Sequence, residues 1–422
     1  MGKSVTSINP RILIWARERA GKQVEEVAEA MGKAPGDIMA WESGETAPTY
    51  PQLESLAYRV YKRPVALFFF PDPPDEPDPE HSFRTLPDFE LENLSSDTRY
   101  KIRQARSFQL SLYELNAGKN PRSALIFRDI DVRGRSSAQV AREVRSYLGI
   151  SLKTQTEDWT DSADAFKSWR TAVEEKGVFV FKDAFKQDDV SGFCLYDEEL
   201  PVIYINNSTP PTRQTFTLFH ELAHILFGAN GVTKRNDSYI SALSGEARRI
   251  EVFCNRFAAD LLVPLPEMHR AASGRKPDDE VVLELSRHFK VSREVILRRY
   301  LDEGIVSREQ YEAKVRTWTE EARRARERQS PGGNYYATHA SYLGDAYLRL
   351  AFRRFYEGAI SLEQLADHLN VRPKSVLGLE ERLLSRAAHP APKGTRALAA
   401  VALPGTNGAV DYDSAPLPRP QG

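Results

Sequence analysis

Apolar residues recur along most of the chain at three- and four-residue spacing, the period of helices lying on a core. Between residues 9 and 70 glycines break this pattern into short pieces. Ile12, Trp15 and Ala16 precede Gly21; Val24, Val27, Ala28 and Met31 precede Gly32; Ile38 and Trp41 precede Gly44; Leu53, Leu56, Ala57 and Val60 follow. Four short helices are predicted, with a Gly-containing turn between the second and third. Ile102, Ala105, Phe108 and Leu112 predict a longer helix over 94–117, and Val140, Val144 and Leu148, then Ala165, Trp169 and Val173, mark two more. The runs Val178–Phe181, Phe193–Tyr196 and Val202–Ile205 are short and β-prone, with polar turns between them, and predict a small antiparallel sheet. A polar loop is expected from Ala229 to about Ser244. Helical spacing returns at 216–228, at 246–262 and at 278–318, and again after the linker Pro331-Gly332-Gly333, where Ser361-x-x-Gln364 reads as a capping box.

Within the helix Phe216–Gly228 lies His220-Glu221-x-x-His224. Four residues are about one helical turn, so both imidazoles project from one face and can grip one ion. Glu221, beside the first histidine, can then take a proton from water on that ion. A catalytic zinc takes three protein ligands and keeps a fourth position open. Two carboxylates of the next helix are candidates for the third. Glu246 lies in its first turn, whereas Glu251 shares a face with Cys254 and Asn255 among apolar neighbours and is the better placed.

Composition narrows the picture without changing it. A chain of 422 residues holds several domains, and a net charge of −1 gives no global attraction to nucleic acid or membrane. The absence of a long apolar run and of a secretory leader predicts a cytoplasmic protein without membrane contact. Two cysteines, Cys194 and Cys254, make no disulfide framework and read as reduced, buried residues.

Two resemblances add to this reading. Val27-Ala28, Ile38-x-x-Trp41-Glu42-x-Gly44, Pro48, Leu53 and Leu56-Ala57 resemble the Xre/lambda-repressor-like helix-turn-helix family over about 60 residues. The departures fall where DNA would be read. Val24 and Glu25 replace the usual cap and glutamine, and the third helix presents Ala34, Gly36 and Asp37. Residues 1–70 carry nine Lys/Arg against eight Asp/Glu, few cations for phosphate contacts. Contact with DNA or with a protein partner, through Lys33, Asp37 and Trp41, stays open.

The second resemblance is sharper. Phe216-Thr217-Leu218-x-His220-Glu221-Leu222-x-His224, followed by Glu251-x-x-x-Asn255-x-Phe257-Ala258-Ala259-x-Leu261-Leu262-x-Pro264, resembles the ImmA/IrrE metallopeptidase family. It implies zinc on His220, His224 and Glu251, with Glu221 as general base; manganese or iron suits the same donors. Cys254 stands where that family usually has alanine, and Asn255 is expected to buttress helix packing or to orient a ligand from behind. The implied substrate is a helix-turn-helix repressor cleaved at one site. Candidate oxyanion groups are Tyr204, Asn206 and Tyr239. Arg298 and Arg299 could touch acid groups but are read rather as a solvated face, and the arginines from Arg323 to Arg328 as a salt-bridged one.

The expected architecture is α+β and mostly helical: a helix-turn-helix unit over 1–70, a Pro/Asp-rich linker over 71–89 and a connecting helix within 90–119. A zincin-like core with its small sheet follows over 120–265, then a helical extension over 266–330, a C-terminal helical module over 331–386 and a disordered tail over 387–422. The expected function is a zinc-dependent endopeptidase regulating gene expression, with dimerisation open. The alternative is a DNA-binding regulator whose peptidase-like domain senses and turns over little.

Overall fold

Asn9, whose side chain accepts the Arg11 backbone N–H, and Pro10 in the first turn start α1 (Pro10–Arg19). The computed structural model describes residues 4–76, 94–234, 237–327 and 334–388. The linker beyond Glu76, the Pro331-Gly332-Gly333 segment, Arg328 and the tail from residue 389 lie outside them. α2 (Val24–Met31) and α3 (Pro35–Ser43) end at Gly32 and Gly44, whose φ of 61° and 77° is left-handed and favours glycine. α4 (Tyr50–Glu54) runs on into a wider-wound stretch, Ser55–Tyr61. Ile12, Val27, Ile38, Trp41, Leu53 and Leu56 close a core of their own.

This core corrects one expected contact. Trp41 is 6% exposed, because the face of α3 that carries it packs inward, so its indole is not offered to DNA or a partner. Asp37 is exposed and accepts the Ala34 N–H at 3.2 Å, capping its own helix. Lys33 is exposed. Glu42 turns back to Arg17 at 2.7 Å and ties α3 to α1.

α5 (Ser96–Leu115), α6 (Ile126–Asp129), α7 (Ser137–Leu148) and α8 (Ser162–Glu174) lead to β1 (Phe179–Asp183), β2 (Val190–Leu195) and β3 (Val202–Asn206). α9 (Pro211–Leu226), β4 (Gly231–Lys234) and α10 (Gly245–Leu262) follow. The sheet order is β1-β3-β2-β4. It is mixed rather than wholly antiparallel: β3 returns from β2 as a hairpin but lies between β2 and β1, and therefore runs parallel to β1. β4 falls where a polar loop was expected. Its polar residues are satisfied inside the fold, Thr233 donating to Glu221 and Lys234 pairing with Asp189 at 2.8 Å, so their polarity did not mark solvent.

Alternation along the strands divides the core in two. On one face Val180, Cys194, Ile203 and Ile205 meet Leu218 and Leu222 of α9 and Phe257 of α10. On the other, Phe181 stacks on Phe108 of α5 with centroids 4.6 Å apart, and Phe193 on Tyr204 at 5.3 Å.

α11 (Leu265–Ala272), α12 (Asp279–Phe289), α13 (Arg293–Asp302) and α14 (Arg308–Glu327) extend the first face. Arg299 on α13 is buried and pairs with Asp260 at 2.7 Å, contrary to the solvated face expected of it; one helical face here carries both apolar contacts and an ion pair. Arg298 pairs with Asp302 at 3.2 Å on the outer side, and Arg323 with Glu320 at 2.9 Å. α15 (Tyr335–Leu343), α16 (Asp345–Tyr356), α17 (Leu362–His368) and α18 (Val376–Ala388) cover the second face together with α5, Tyr347 meeting Phe181 edge-on. The buried Arg170 of α8 joins the two halves: it donates to the Ser341 carbonyl at 2.6 Å and to those of Val180 and Tyr342. No helix among the described residues is long and apolar enough to cross a membrane.

Lys182 of β1 is enclosed over the Phe166 ring, its ammonium 4.8 Å from the centroid. Burial, with Arg170 nearby, lowers its pKa from 10.5 to about 7. Between those values the unfolded chain binds more protons than the folded one, so this residue's contribution to stability rises with pH from about 7 to about 10.5. Lys182→Met is expected to raise the melting temperature at pH 7 by about 2–4 °C. It should also flatten the rise in stability above neutral pH, as thermal melts across that range would show.

Candidate metal centre

α9 is buried along nearly its whole length between the sheet and α10, and that packing fixes the motif it carries. His220, Glu221, His224 and, from α10, Glu251 are each at most 1% exposed. His220 Nε2 lies 3.2 Å from His224 Nε2. Each Nε2 is 3.3 Å from one oxygen of Glu251: Oε2 for His220 and Oε1 for His224. Tetrahedral donors about 2.0–2.1 Å from a zinc ion stand about 3.3 Å apart, so the three side chains have the spacing of such a ligand set.

The tautomers support that fit. Asn255 Oδ1 lies 3.0 Å from His220 Nδ1, which donates to it and leaves the Nε2 lone pair facing His224 and Glu251. A lone pair and a carboxylate directed at one point in a dry interior repel unless a proton or a metal cation lies between them. Tyr239 donates its phenol to Glu251 Oε2 at 2.8 Å and covers the centre from the loop side. Burial opposes charge on both His224 and Glu251 but is outweighed: Cys254 and then Glu251 hold the imidazole above its ordinary range, and His224 and then His220 hold the carboxyl well below its own.

Glu221 points to one side of this set. Thr233 of β4 donates to its Oε1, while Oε2 is buried with no hydrogen-bond partner among the described residues. Gly231 admits these side chains: a Cβ there would stand 2.4 Å from His224 Cδ2 and 2.9 Å from Glu221 Oε2. Two thiols lie close by. Cys254 brings its sulfur within 4.8 Å of a ring nitrogen of each histidine, and burial pushes its pKa up to about 11. Burial, then Glu221, raises that of Cys194 further, so both sulfurs stay protonated at neutral pH.

The structure thus brings His220, Glu221, His224, Glu251 and Asn255 together. Glu246 is exposed and apart from them. Of the oxyanion candidates, Tyr204 belongs to the aromatic stack on the far face of the sheet, and the Asn206 side chain holds the Val190 carbonyl at 2.8 Å. Tyr239 is at the centre, bonded to the third carboxylate. Thr233 and Gly231 were missed because they belong to a strand that polar composition disguised.

The segment that builds this centre matches a known family. Residues 173–301 match Peptidase_M78, the IrrE N-terminal-like domain. That stretch is IrrE N-terminal-like. Every residue of the centre falls inside it. Over 101 residues the chain is 36% identical to the radiation response metalloprotease IrrE of Deinococcus radiodurans, covering 23% of this chain and 30% of that protein. Over 103 residues it is 35% identical to the protein of the same name from Deinococcus deserti, covering 23% and 34%. The matched stretch therefore spans about a third of these relatives' own length. The matched stretch is an IrrE-like metallopeptidase domain, and α1–α7, nearly all of α8, and α14–α18 lie outside it.

Proposed function

We propose that this chain is a zinc-dependent endopeptidase that regulates gene expression by cutting a helix-turn-helix repressor at one site. The observation that carries the reading is the pairing of a three-donor set with a buried carboxylate, Glu221, held by one oxygen and unpartnered at the other. A structural metal site has no use for such a group. His220, His224 and Glu251 would hold a divalent cation, which would supply a Lewis acid to acidify water and polarise a peptide carbonyl. Zinc suits the two imidazoles and one carboxylate best, with manganese and iron as alternatives. Glu221 accepts the proton of the attacking water on Oε2 and returns it to the departing amine, while Thr233 fixes Oε1 and with it the direction of the free lone pair. Asn255 and Tyr239 orient His220 and Glu251.

The N-terminal helices supply either recognition of the repressor or delivery to its operator, and the near-balance of charge over residues 1–70 favours the protein contact. The setting proposed is the cytoplasm, where such repressors act. A second reading, a DNA-binding regulator whose peptidase-like domain senses and turns over little, draws on the closure of the centre, where Tyr239 must move before a peptide enters.

The test is metal content and proteolysis together. Purified protein is expected to hold about one zinc per chain. It should cut a helix-turn-helix repressor encoded beside its own gene, and lose that cleavage on chelation. Bound zinc without cleavage of any such repressor moves the assignment to the sensor; cleavage that survives removal of all metal overturns both.

A further inference from the structure

Along α10 the side chains that face the metal centre and those that face outward are neighbours. Glu251, Cys254 and Asn255 look inward. Arg248, Arg249, Phe253 and Arg256 line a groove of about 780 Å³ together with Arg135, just before α7, and Leu243. Arg135 is matched by Glu143. Arg248, Arg249 and Arg256 are exposed, and their side chains have neither a hydrogen bond nor an ion pair among the described residues.

Arg248 falls in the first turn of α10 and Arg249 just after it, where the helix dipole favours acidic side chains and opposes basic ones. The same groove receives the N-terminal ends of both α7 and α10, Ser136 and Ser244 being their caps. Glu246 in the first turn is the acidic residue that helix formation calls for, and it is not among the groove's lining residues. In a chain of net charge −1 this is a local concentration of positive potential over an apolar floor of Leu243, Val252 and Phe253.

We propose that this groove is a docking site for an acidic, partly apolar segment of the polypeptide substrate, outside the metal centre. The inference rests on the peptidase reading for its purpose and on the groove's own chemistry for its specificity. Guanidinium forks pair with carboxylates bidentately, and the apolar floor accepts the side chains between them. Nucleic acid is less well served: the floor offers no paired aromatic platform, and the arginines ring a short cleft instead of tracking a backbone. The wall Leu243–Gly245 directly follows the turn Asp237–Ser241 that brings Tyr239 onto Glu251. A segment seated in the groove thus bears on the element that closes the centre.

The test measures binding apart from cleavage. A fluorescein-labelled peptide of alternating Glu and Leu would be titrated by fluorescence anisotropy against three full-length proteins. These are the wild type, Glu221→Gln, and a triple variant carrying Arg248→Gln, Arg249→Gln and Arg256→Gln. The wild type and Glu221→Gln are expected to bind the peptide alike, and the triple variant at least about tenfold more weakly, with affinity falling as salt is raised. Because the three arginines are exposed and unpaired, the triple variant should keep its metal and melting temperature, which would be measured alongside. Equal binding by the wild type and the triple variant overturns the docking site. So does tighter binding of a single-stranded oligonucleotide than of the peptide. Failure of the wild type to cut any repressor while these affinities hold would sink the peptidase reading and leave the groove standing as a binding site.

Discussion

Glu221→Gln is expected to keep the metal and lose peptide-bond cleavage by about 100- to 10,000-fold. Glutamine has the same shape, so it can still meet Thr233, and it removes only the lone pair that accepts a proton. The donors that hold the ion are His220, His224 and Glu251, and none is touched. The decisive comparison is therefore metal content by elemental analysis against cleavage rate in the same samples. Loss of both would mean that Glu221 belongs to the ligand set; loss of neither would mean that another group is the base. The unpartnered Oε2 makes retained metal with lost cleavage the expected outcome, since a carboxylate oxygen buried without a donor is costly and a reaction that uses it accounts for its retention.

Gly231→Ala is expected to weaken metal binding by about 100-fold, as much as loss of a strong supporting contact does at such centres, and to lower the melting temperature as well. The added methyl would lie 2.4 Å from His224 Cδ2 and 2.5 Å from Cγ. Neither side can give way easily: α9 is packed between the sheet and α10, and β4 is paired to β2, Gly231 opposite Cys194. The ring must rotate, and its Nε2 leaves the triangle made with His220 and Glu251. Gly32→Ala separates this from a general loss of stability. Nothing lies within 4 Å of a methyl at that position, but its φ of 61° is strained for alanine. That variant should melt lower and bind metal normally. Wild-type metal affinity in Gly231→Ala would show that β4 does not hold the imidazole in place.

Much of the centre was legible before the fold was known. One helical turn sets the spacing of His220 and His224, and a helix apolar enough to be buried cannot leave two imidazoles without a partner. Asn255, four residues from Glu251 on one face of α10, was already placed behind the ligands. Thr233, Gly231 and the function of Tyr239 were not readable. Gly231 and Thr233 come from a stretch with the composition of a loop, to which only pairing with β2 gives regular structure, and Tyr239 lies in the turn Asp237–Ser241 beyond it.

Local periodicity determined most helices, several of their stops, the metal-gripping face of α9 and the division of each strand into two faces, because these depend on spacing along a few turns of chain. Contacts between distant residues decided the rest. The parallel pairing of β1 with β3 depends on which gap β3 enters, and β-strand propensity is blind to that. Trp41 and Arg299 were misread for the same reason: an aromatic or a cation on a helix face looks the same whether solvent or another helix covers it. The burial of Trp41 in the N-terminal core and the Asp260 carboxylate beside Arg299 are long-range facts. The choice of Glu251 over Glu246 belongs to both levels. Helix phase put Glu251 inward, and the crossing of α10 over α9 brought its oxygens to 3.3 Å from the two imidazoles, a distance that only the packed helices set.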